Sequence, residues 1–414
     1  MTDTSRSDLA VEPISDALEG WTLDVVVSGS IGAVESVRFI RALRRLGADV
    51  RPWLTAGGAR FVTEVAVAWA AGRPAITDFS GDASHVATGR ACVVAPASAN
   101  FIGQVARGLT DSPATALVAS YLGCGRPVCM VPNMHSSLAL SPTVADNTNA
   151  LERLGVHLLA SRDEEGKRKF PDPTWLADEV SHYLRSFAAQ HSQPPKVAPR
   201  VLVTMGTTRG YIDDVRYVSN YSSGALGSLV VEELHRYGIE TDVVCGPSPI
   251  RPRNFWRMTP VETNSDMAQA CRKSLLNGAS GAILAASVLD FAPEHKTSGK
   301  IKSVDHERLS LSMVRQPKII SDIHPSSGVK VGFKLETGLT EETAFKLAQS
   351  YMTKYSLSLM VINDLRDVDQ SRHKAWFFEQ RQKEPGDVLP LGVAETKLDV
   401  ARRIVRHILS QLSS

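Results

Sequence analysis

Cysteine is scarce in this chain, and its spacing forms no pattern. Cys92, Cys124, Cys129, Cys245 and Cys271 are scattered over 414 residues, with no Cys-x-x-Cys step and no Cys/His cluster. That excludes a disulfide framework and a zinc ribbon, and it predicts reduced thiols in a cytoplasmic protein, most of them buried in apolar runs. No apolar run exceeds strand length, so no membrane span is expected. The polar, acidic start lacks the basic and apolar regions of a secretion signal. A net charge of +2 provides no overall field for nucleic acid. Short basic stretches such as Arg251-Pro-Arg253 and Lys300-Ile-Lys302 read, on composition alone, as solvated faces.

What is present is a globular apolar content of 43% and a length suited to two or three domains. Residues 1–20 have no period and read as a flexible lead-in. Leu23–Ser28 is a β-branched run followed by a glycine-bearing loop. Val34, Val37, Ile40, Leu43 and Leu46 then recur at helical spacing, closed by Gly47. Further strands are predicted at 49–54, 91–95 and 127–131, alternating with helices, which implies a parallel sheet covered on both faces. Residues 187–199 are polar and proline-rich and read as a linker. The pattern then restarts, with strands at 200–204, 242–245, 281–286 and 328–333 and a helix from Ala225. The expected fold is α/β, with two doubly wound parallel-sheet domains at 21–186 and 200–414.

Four segments of the second domain carry chemistry. Thr204–Asp213 is a glycine/threonine loop after a strand, where small residues let backbone N–H groups approach an anion. Val215-Arg-Tyr-Val-Ser-Asn-Tyr-Ser-Ser-Gly224 ends at a helix start, which favours phosphate or carboxylate. Either serine alone could be an ordinary N-cap. Ala285–Pro293 places Asp290 after a buried strand, where open α/β sheets bind ligands, and Thr297–Lys302 reads as a mobile, lysine-bearing flap. Val331–Thr337 places Phe333 against either a base or the core.

Together these strings resemble phosphopantothenate–cysteine ligase, over about 199–412. The resemblance implies a Rossmann-like ligase domain that forms an acyl-nucleotidylate and then an amide, using CTP or ATP with Mg²⁺. It implies a 4′-phosphopantothenate-like acid and a cysteine-like amine as substrates. By position, Lys300 neutralises the α-phosphate, Asn220 orients the acyl group and Arg216 holds an anionic part of the acid. Gly206, Ser222, Ser223 and Gly224 line the phosphate site, Lys302 adds a flap charge, Asp290 contacts the nucleoside, and Ala286 and Phe333 seat the base. No metal ligands are identifiable. Met205, Thr207, Gly210 and Leu289 depart from the family strings and are expected to widen or shift the substrate pocket.

In the first domain, Ser28-Gly-Ser-Ile-Gly-Ala33 opens a helix and reads equally as a flavin-phosphate cradle or a tight turn. With Ala95-Pro-Ala-Ser-Ala-Asn100 and Pro132-Asn-Met-His-Ser-Ser-Leu-Ala139, it resembles the flavodoxin-like, flavin-binding cysteine decarboxylases over about 22–185. The resemblance implies FMN held by Gly29, Ser30, Ile31, Ser98, Asn100 and Asp111, and it makes His85, Met134 and His135 candidates for the decarboxylation site. His85 could equally be a surface histidine. The family has Asn where this chain has His135, and a cysteine in a substrate clamp where Ser161–Pro171 has none. The reading favoured on these grounds is a ligase whose decarboxylase domain is impaired or repurposed. The alternatives are a fully bifunctional coenzyme A biosynthetic enzyme and a non-catalytic flavin- or nucleotide-binding scaffold. Relatives of both domains assemble, so a homo-oligomer is expected, with no nucleic acid or membrane partner.

Overall fold

The computed structural model describes residues 8–164, 167–194, 199–305, 307–368, 372–381 and 387–412. The chain forms two compact units, Met1–Pro195 and Lys196–Ser414.

The first unit is a five-stranded parallel sheet of β1 (Thr22–Val27), β2 (Asp49–Leu54), β3 (Ala91–Ala97), β4 (Val128–Pro132) and, after the two-residue β5 (Met134–His135), β6 (Val156–Leu158). Its order is β2-β1-β3-β4-β6. This is the flavodoxin-like order, with a switch point between β1 and β3. The strands are continuous apolar runs because both faces are covered. Helices α1 (Ser36–Arg45), α2 (Glu64–Ala71) and α7 (Pro173–Gln190) pack on one face, and α3 (Ala99–Ala106), α4 (Pro113–Gly123) and α6 (Pro142–Arg153) on the other. A short α5 (Ser136–Ala139) follows β5, and a hairpin of β7 (Arg162–Glu164) and β8 (Lys167–Lys169) pairs with it.

Two expectations need correction. The lead-in is not loose throughout, since Ala17 and Leu18 are fully buried and the Ile14 and Leu18 N–H groups donate to the Arg45 and Leu46 carbonyls. An apolar pair in a polar stretch was enough to dock it, although two residues show no period. The predicted linker also begins late, because α7 continues through 187–190 and stacks Phe187 on His191.

One polar group is built into the core of this unit. Asp24, fully buried in β1, accepts two bonds from Arg51, at 2.8 and 2.5 Å, with further bonds from Trp53 Nε1 at 2.8 Å and the Tyr121 hydroxyl at 2.5 Å. Burial and the Asp24 charge push the Tyr121 hydroxyl far above its ordinary range, so it stays a donor. Removing one partner of a buried network leaves the others desolvated and unpaired. Asp24→Ala is therefore expected to cost about 3–5 kcal/mol, read as a lowered urea midpoint of the first unit.

The second unit is an eight-stranded sheet of order β13-β12-β9-β14-β17-β18-β19-β20. Its strands are β9 (Arg200–Met205), β12 (Glu240–Cys245), β13 (Arg257–Pro260), β14 (Gly281–Leu284), β17 (Lys330–Glu336), β18 (Leu359–Val368), β19 (His373–Gln380) and β20 (Val388–Ala394). The first six run parallel in the Rossmann order. The last two are antiparallel, which the predicted all-parallel sheet lacked. Only residues 369–372 join β18 to β19, too few for the crossover a parallel pair requires. Small hairpins β10 (Arg209–Tyr211) with β11 (Tyr217–Ser219), and β15 (Phe291–Pro293) with β16 (Met313–Arg315), stand off the sheet. Helices α8 (Ala225–Arg236) and α11 (Lys397–Leu412) pack on one face, and α9 (Asn264–Leu276) and α10 (Glu341–Tyr355) form separate clusters with other parts of the sheet.

His373 at the start of β19 is buried, and neither ring nitrogen has a partner among the described residues. Burial, with Lys397 adding repulsion, lowers its pKa to about 4. The unfolded chain takes up this proton near pH 6.5 and the folded chain only near 4. Stability therefore falls as pH drops through that window and levels off below it. His373→Phe is expected to remove a slope of up to about 1.4 kcal/mol per pH unit, checked by urea unfolding between pH 7 and 4.

Candidate functional site

A cavity of about 840 Å³ lies at the C-terminal ends of β1, β3 and β4. Its lining includes Gly29, Ser30, Ile31, Gly32, Ser98, Asn100, Met134 and His135. A Cβ on Gly29 would lie 2.8 Å from the Gly57 backbone, and one on Gly32 would lie 2.6 Å from Asn133 Oδ1, so this loop must be bare. Asn133 Oδ1 fastens it, accepting from Ser30 Oγ at 2.7 Å and Gly32 N at 3.1 Å. Ser98 caps α3, whose N-terminus opens onto the cavity beside Asn100. The volume, the bare glycine loop and the helix N-terminus fit a flavin mononucleotide.

Five of the predicted flavin positions therefore meet in one cavity, joined by the predicted substrate positions Met134 and His135. Two predicted residues do not. Asp111 lies outside the lining and bonds Gln104 at 3.5 Å, which in turn contacts Asn100. His85 is also outside it, packed edge-on against Phe79. Asn133 was missed by the sequence reading, because an asparagine between a strand and a turn has no distinguishing local pattern.

The β7–β8 hairpin pairs with β5, placing His135 opposite Lys167. Arg162, Lys169 and Phe170 line the cavity with it. Ser137 N donates to His135 Nδ1 at 3.2 Å. That bond requires a lone pair on Nδ1, so the neutral ring carries its proton on Nε2. Among the described residues, no cysteine lines the cavity. Cys92 and Cys129 are buried in strands, and burial pushes both thiols far up; it also raises the Cys245 thiol, and the Cys271 thiol to about 12. Cys124 is exposed.

In the second unit the loops after β9, β12 and β14 interlock. Gly206 has φ +75°, and a Cβ there would meet the Gly246 carbonyl at 2.6 Å. Thr207 N donates to the Pro247 carbonyl and Ser287 N to the Gly206 carbonyl, at 3.2 and 2.8 Å. Ala286 N donates to Thr204 Oγ1 at 3.3 Å. Gly224 (φ +76°) caps α8, and a Cβ there would overlap Ser248 Oγ. Ser222 and Ser223 accept from the Gly224 and Ala225 N–H groups. Asn220 Nδ2 donates to the Val288 carbonyl at 3.0 Å, tying the second segment to the third. Gly206, Asn220, Ser222–Gly224 and Ala286 thus belong to one rim along the C-terminal edge of the sheet.

Arg216 does not project freely toward a substrate. Its Nη1 is 2.6 Å from Asp213 Oδ2 and 3.1 Å from the Ile301 carbonyl. Lys300 and Lys302 are exposed and, among the described residues, make no hydrogen bond or ion pair. Asp290 is held by Lys318 at 2.5 Å, a partner the sequence reading missed. Phe333 is half-buried against the core of α8 and α11. Met205, Thr207 and Leu289 are buried, and Gly210 is required where a Cβ would lie 2.8 Å from Pro293 Cδ. Among the described residues no cluster of three or more His, Cys, Asp or Glu side chains could hold a metal ion. No helix among them is long and apolar enough to cross a membrane.

The molecule is thus built from two α/β modules, each with glycine-bearing loops at the C-terminal ends of its parallel strands. Residues 13–185 match the Flavoprotein family, and 197–412 match the DNA/pantothenate metabolism flavoprotein C-terminal domain. The coenzyme A biosynthesis bifunctional protein CoaBC of Thermococcus kodakarensis is 33% identical over 362 residues, covering 85% of this chain and 87% of that one. Its counterpart in Mycolicibacterium smegmatis is 28% identical over 413 residues, covering 94% and 97%. A cysteine/cysteine sulfinic acid decarboxylase from an unknown prokaryote is 29% identical over 336 residues, covering 77% and 88%. This chain belongs to the CoaBC family of bifunctional coenzyme A biosynthesis proteins. Membership across both units favours the two-activity alternative over a ligase with an impaired decarboxylase.

Proposed function

We propose that the protein is a bifunctional ligase and decarboxylase acting on phosphopantothenate-derived substrates. In the second unit, the carboxylate of a 4′-phosphopantothenate-like acid attacks the α-phosphorus of CTP or ATP, releasing pyrophosphate and forming an acyl-nucleotidylate. The amine of cysteine then displaces the nucleotide and leaves the amide. Mg²⁺ accompanies the triphosphate and neutralises part of its charge. The α8 N-terminus and the Gly206 loop receive phosphate oxygens. Asn220 orients the acyl group, and Lys300 carries positive charge to the α-phosphate. The observation that supports this most is Lys300 itself. It is an exposed cation without a partner among the described residues, on a loop tied to the same rim as Asn220.

In the first unit, Gly29, Ser30, Ile31, Ser98 and Asn100 hold FMN, which when bound supplies the reversible oxidation that releases the substrate carboxylate. His135 presents Nε2–H, a donor equivalent in kind to the amide N–H of the asparagine that the family resemblance places here. It holds the carboxylate that leaves. Arg162 and Lys169 add positive charge to the same cavity.

Purified protein should release pyrophosphate from CTP or ATP with Mg²⁺, 4′-phosphopantothenate and cysteine, and should then convert the product to 4′-phosphopantetheine. Pyrophosphate release without decarboxylation would restore the reading of an impaired first unit. Absence of acid-dependent pyrophosphate release would reject the ligase.

A further inference from the structure

The loop carrying Lys300 reads from sequence as a mobile flap, yet its backbone is fastened on both sides of the lysine. Asp213 is fully buried and gathers four donors: Val215 N at 2.8 Å, Arg216 N at 2.6 Å, Arg216 Nη1 at 2.6 Å and Ile301 N at 3.1 Å. Burial alone would raise its pKa, but the three backbone N–H groups and the Arg216 charge outweigh it and hold the carboxyl at about 2. It is a carboxylate at any working pH. Arg216 Nη1 closes the ring on the Ile301 carbonyl at 3.1 Å. On the other side of Lys300, Gly299 N donates to Asp214 Oδ2 at 2.7 Å and the Gly299 carbonyl accepts from Asp214 N at 3.2 Å. Lys296 pairs with Asp214 at 2.8 Å, and Thr297 N donates to the Ile212 carbonyl at 2.9 Å.

We infer that Asp213 and Asp214 are positioning residues for Lys300. They form a two-carboxylate clamp that fixes the peptide groups on either side of the lysine, and Arg216 serves that clamp rather than the acid substrate. The inference rests on the proposed role of Lys300 at the α-phosphate. The physical case is one of reach and entropy. A lysine on a free loop must be ordered each time the triphosphate binds, whereas a lysine between two pinned peptides is ordered already. Both neighbours of Lys300 are held by the same four-residue turn, Asp213–Arg216, which leads through β11 into Asn220. The cation and the acyl-orienting amide therefore hang from one rigid piece of chain. A misplacement of about 1 Å at such a group costs on the order of 100-fold in rate.

The test uses the full chain with Asp213→Asn and Asp214→Ala, read two ways. Brief trypsin digestion reports cleavage after Lys300 and Lys302. Pyrophosphate release with CTP or ATP, Mg²⁺ and 4′-phosphopantothenate reports activation, and aminolysis of preformed acyl-nucleotidylate by cysteine reports the second half-reaction. Cleavage after Lys300 is expected to accelerate by about tenfold in both variants, with the melting temperature unchanged in Asp214→Ala. The kcat for pyrophosphate release is expected to fall roughly 10- to 100-fold, with aminolysis and the KM for nucleotide little changed. Should Asp213→Asn fail to fold, Asp214→Ala, which alters a half-exposed side chain, carries the same expectations. Wild-type cleavage and wild-type kcat in the folded variants would overturn the clamp. Faster cleavage with unchanged kcat would overturn the positioning role and leave a merely structural tie. A wild-type protein that releases no pyrophosphate would instead remove the ligase reading, and the positioning role with it.

Discussion

Lys300→Gln is expected to lower acid-dependent pyrophosphate release by about 100- to 1,000-fold, the loss seen when one charged or hydrogen-bonding group is removed from a developing oxyanion. Glutamine keeps a donor, one bond shorter in reach, and removes the charge, so the effect reports chiefly on electrostatics. Stability should not move, because the side chain is exposed and unpartnered among the described residues. The same substitution should slow aminolysis of a preformed acyl-nucleotidylate less, since that step attacks the acyl carbon and forms no five-coordinate phosphorus. Stopped-flow detection of pyrophosphate, with the second half-reaction followed separately, reads both. Turnover at the wild-type rate would remove Lys300 from the mechanism and leave the rim without its cation.

The second large effect is expected at His135. His135→Leu should reduce decarboxylation by about 100-fold or more, as expected when a group that orients the reacting carboxylate is lost. His135→Asn should retain most of the rate, because an amide N–H replaces Nε2–H as the donor. Flavin content, read from the visible spectrum, should be the same in wild type and both variants, since the cradle is built from Gly29–Ile31, Ser98 and Asn100. Equal loss in both variants would mean that the imidazole ring does something an amide cannot, such as returning a proton. Equal retention would mean that the carboxylate is held elsewhere in the cavity, with Arg162 and Lys169 the nearest alternatives.

The extent to which the sites could be read from sequence differs by segment. β1, β3 and β9 are apolar runs followed by small residues, and the structure places each in the interior of its sheet with its loop at the C-terminal edge. Gly224 before Ala225 reads as a helix start and caps α8. Ser98 reads as a flavin contact and caps α3. These signals are local, because a strand period, a cap or a turn glycine is decided within a few residues. Arg216, by contrast, reads as a substrate contact from its string, while its Nη1 bonds Asp213 and the Ile301 carbonyl, partners that no local pattern announces. Leu289 and Met205 were expected in a pocket and lie in the core.

The order of two α/β units, the bare glycine loops and the residue types able to meet phosphate were determined by the sequence alone, because each follows from short-range periodicity or from the steric demands of one backbone position. Only the tertiary structure decided the partners. Lys318 reaches Asp290 across 28 positions and Arg216 reaches Ile301 across 85. His135 gains its place in the cavity from a hairpin that pairs with β5 about thirty residues later. Such pairings depend on where the chain closes on itself, and that closure is set by the packing of whole helices against sheets.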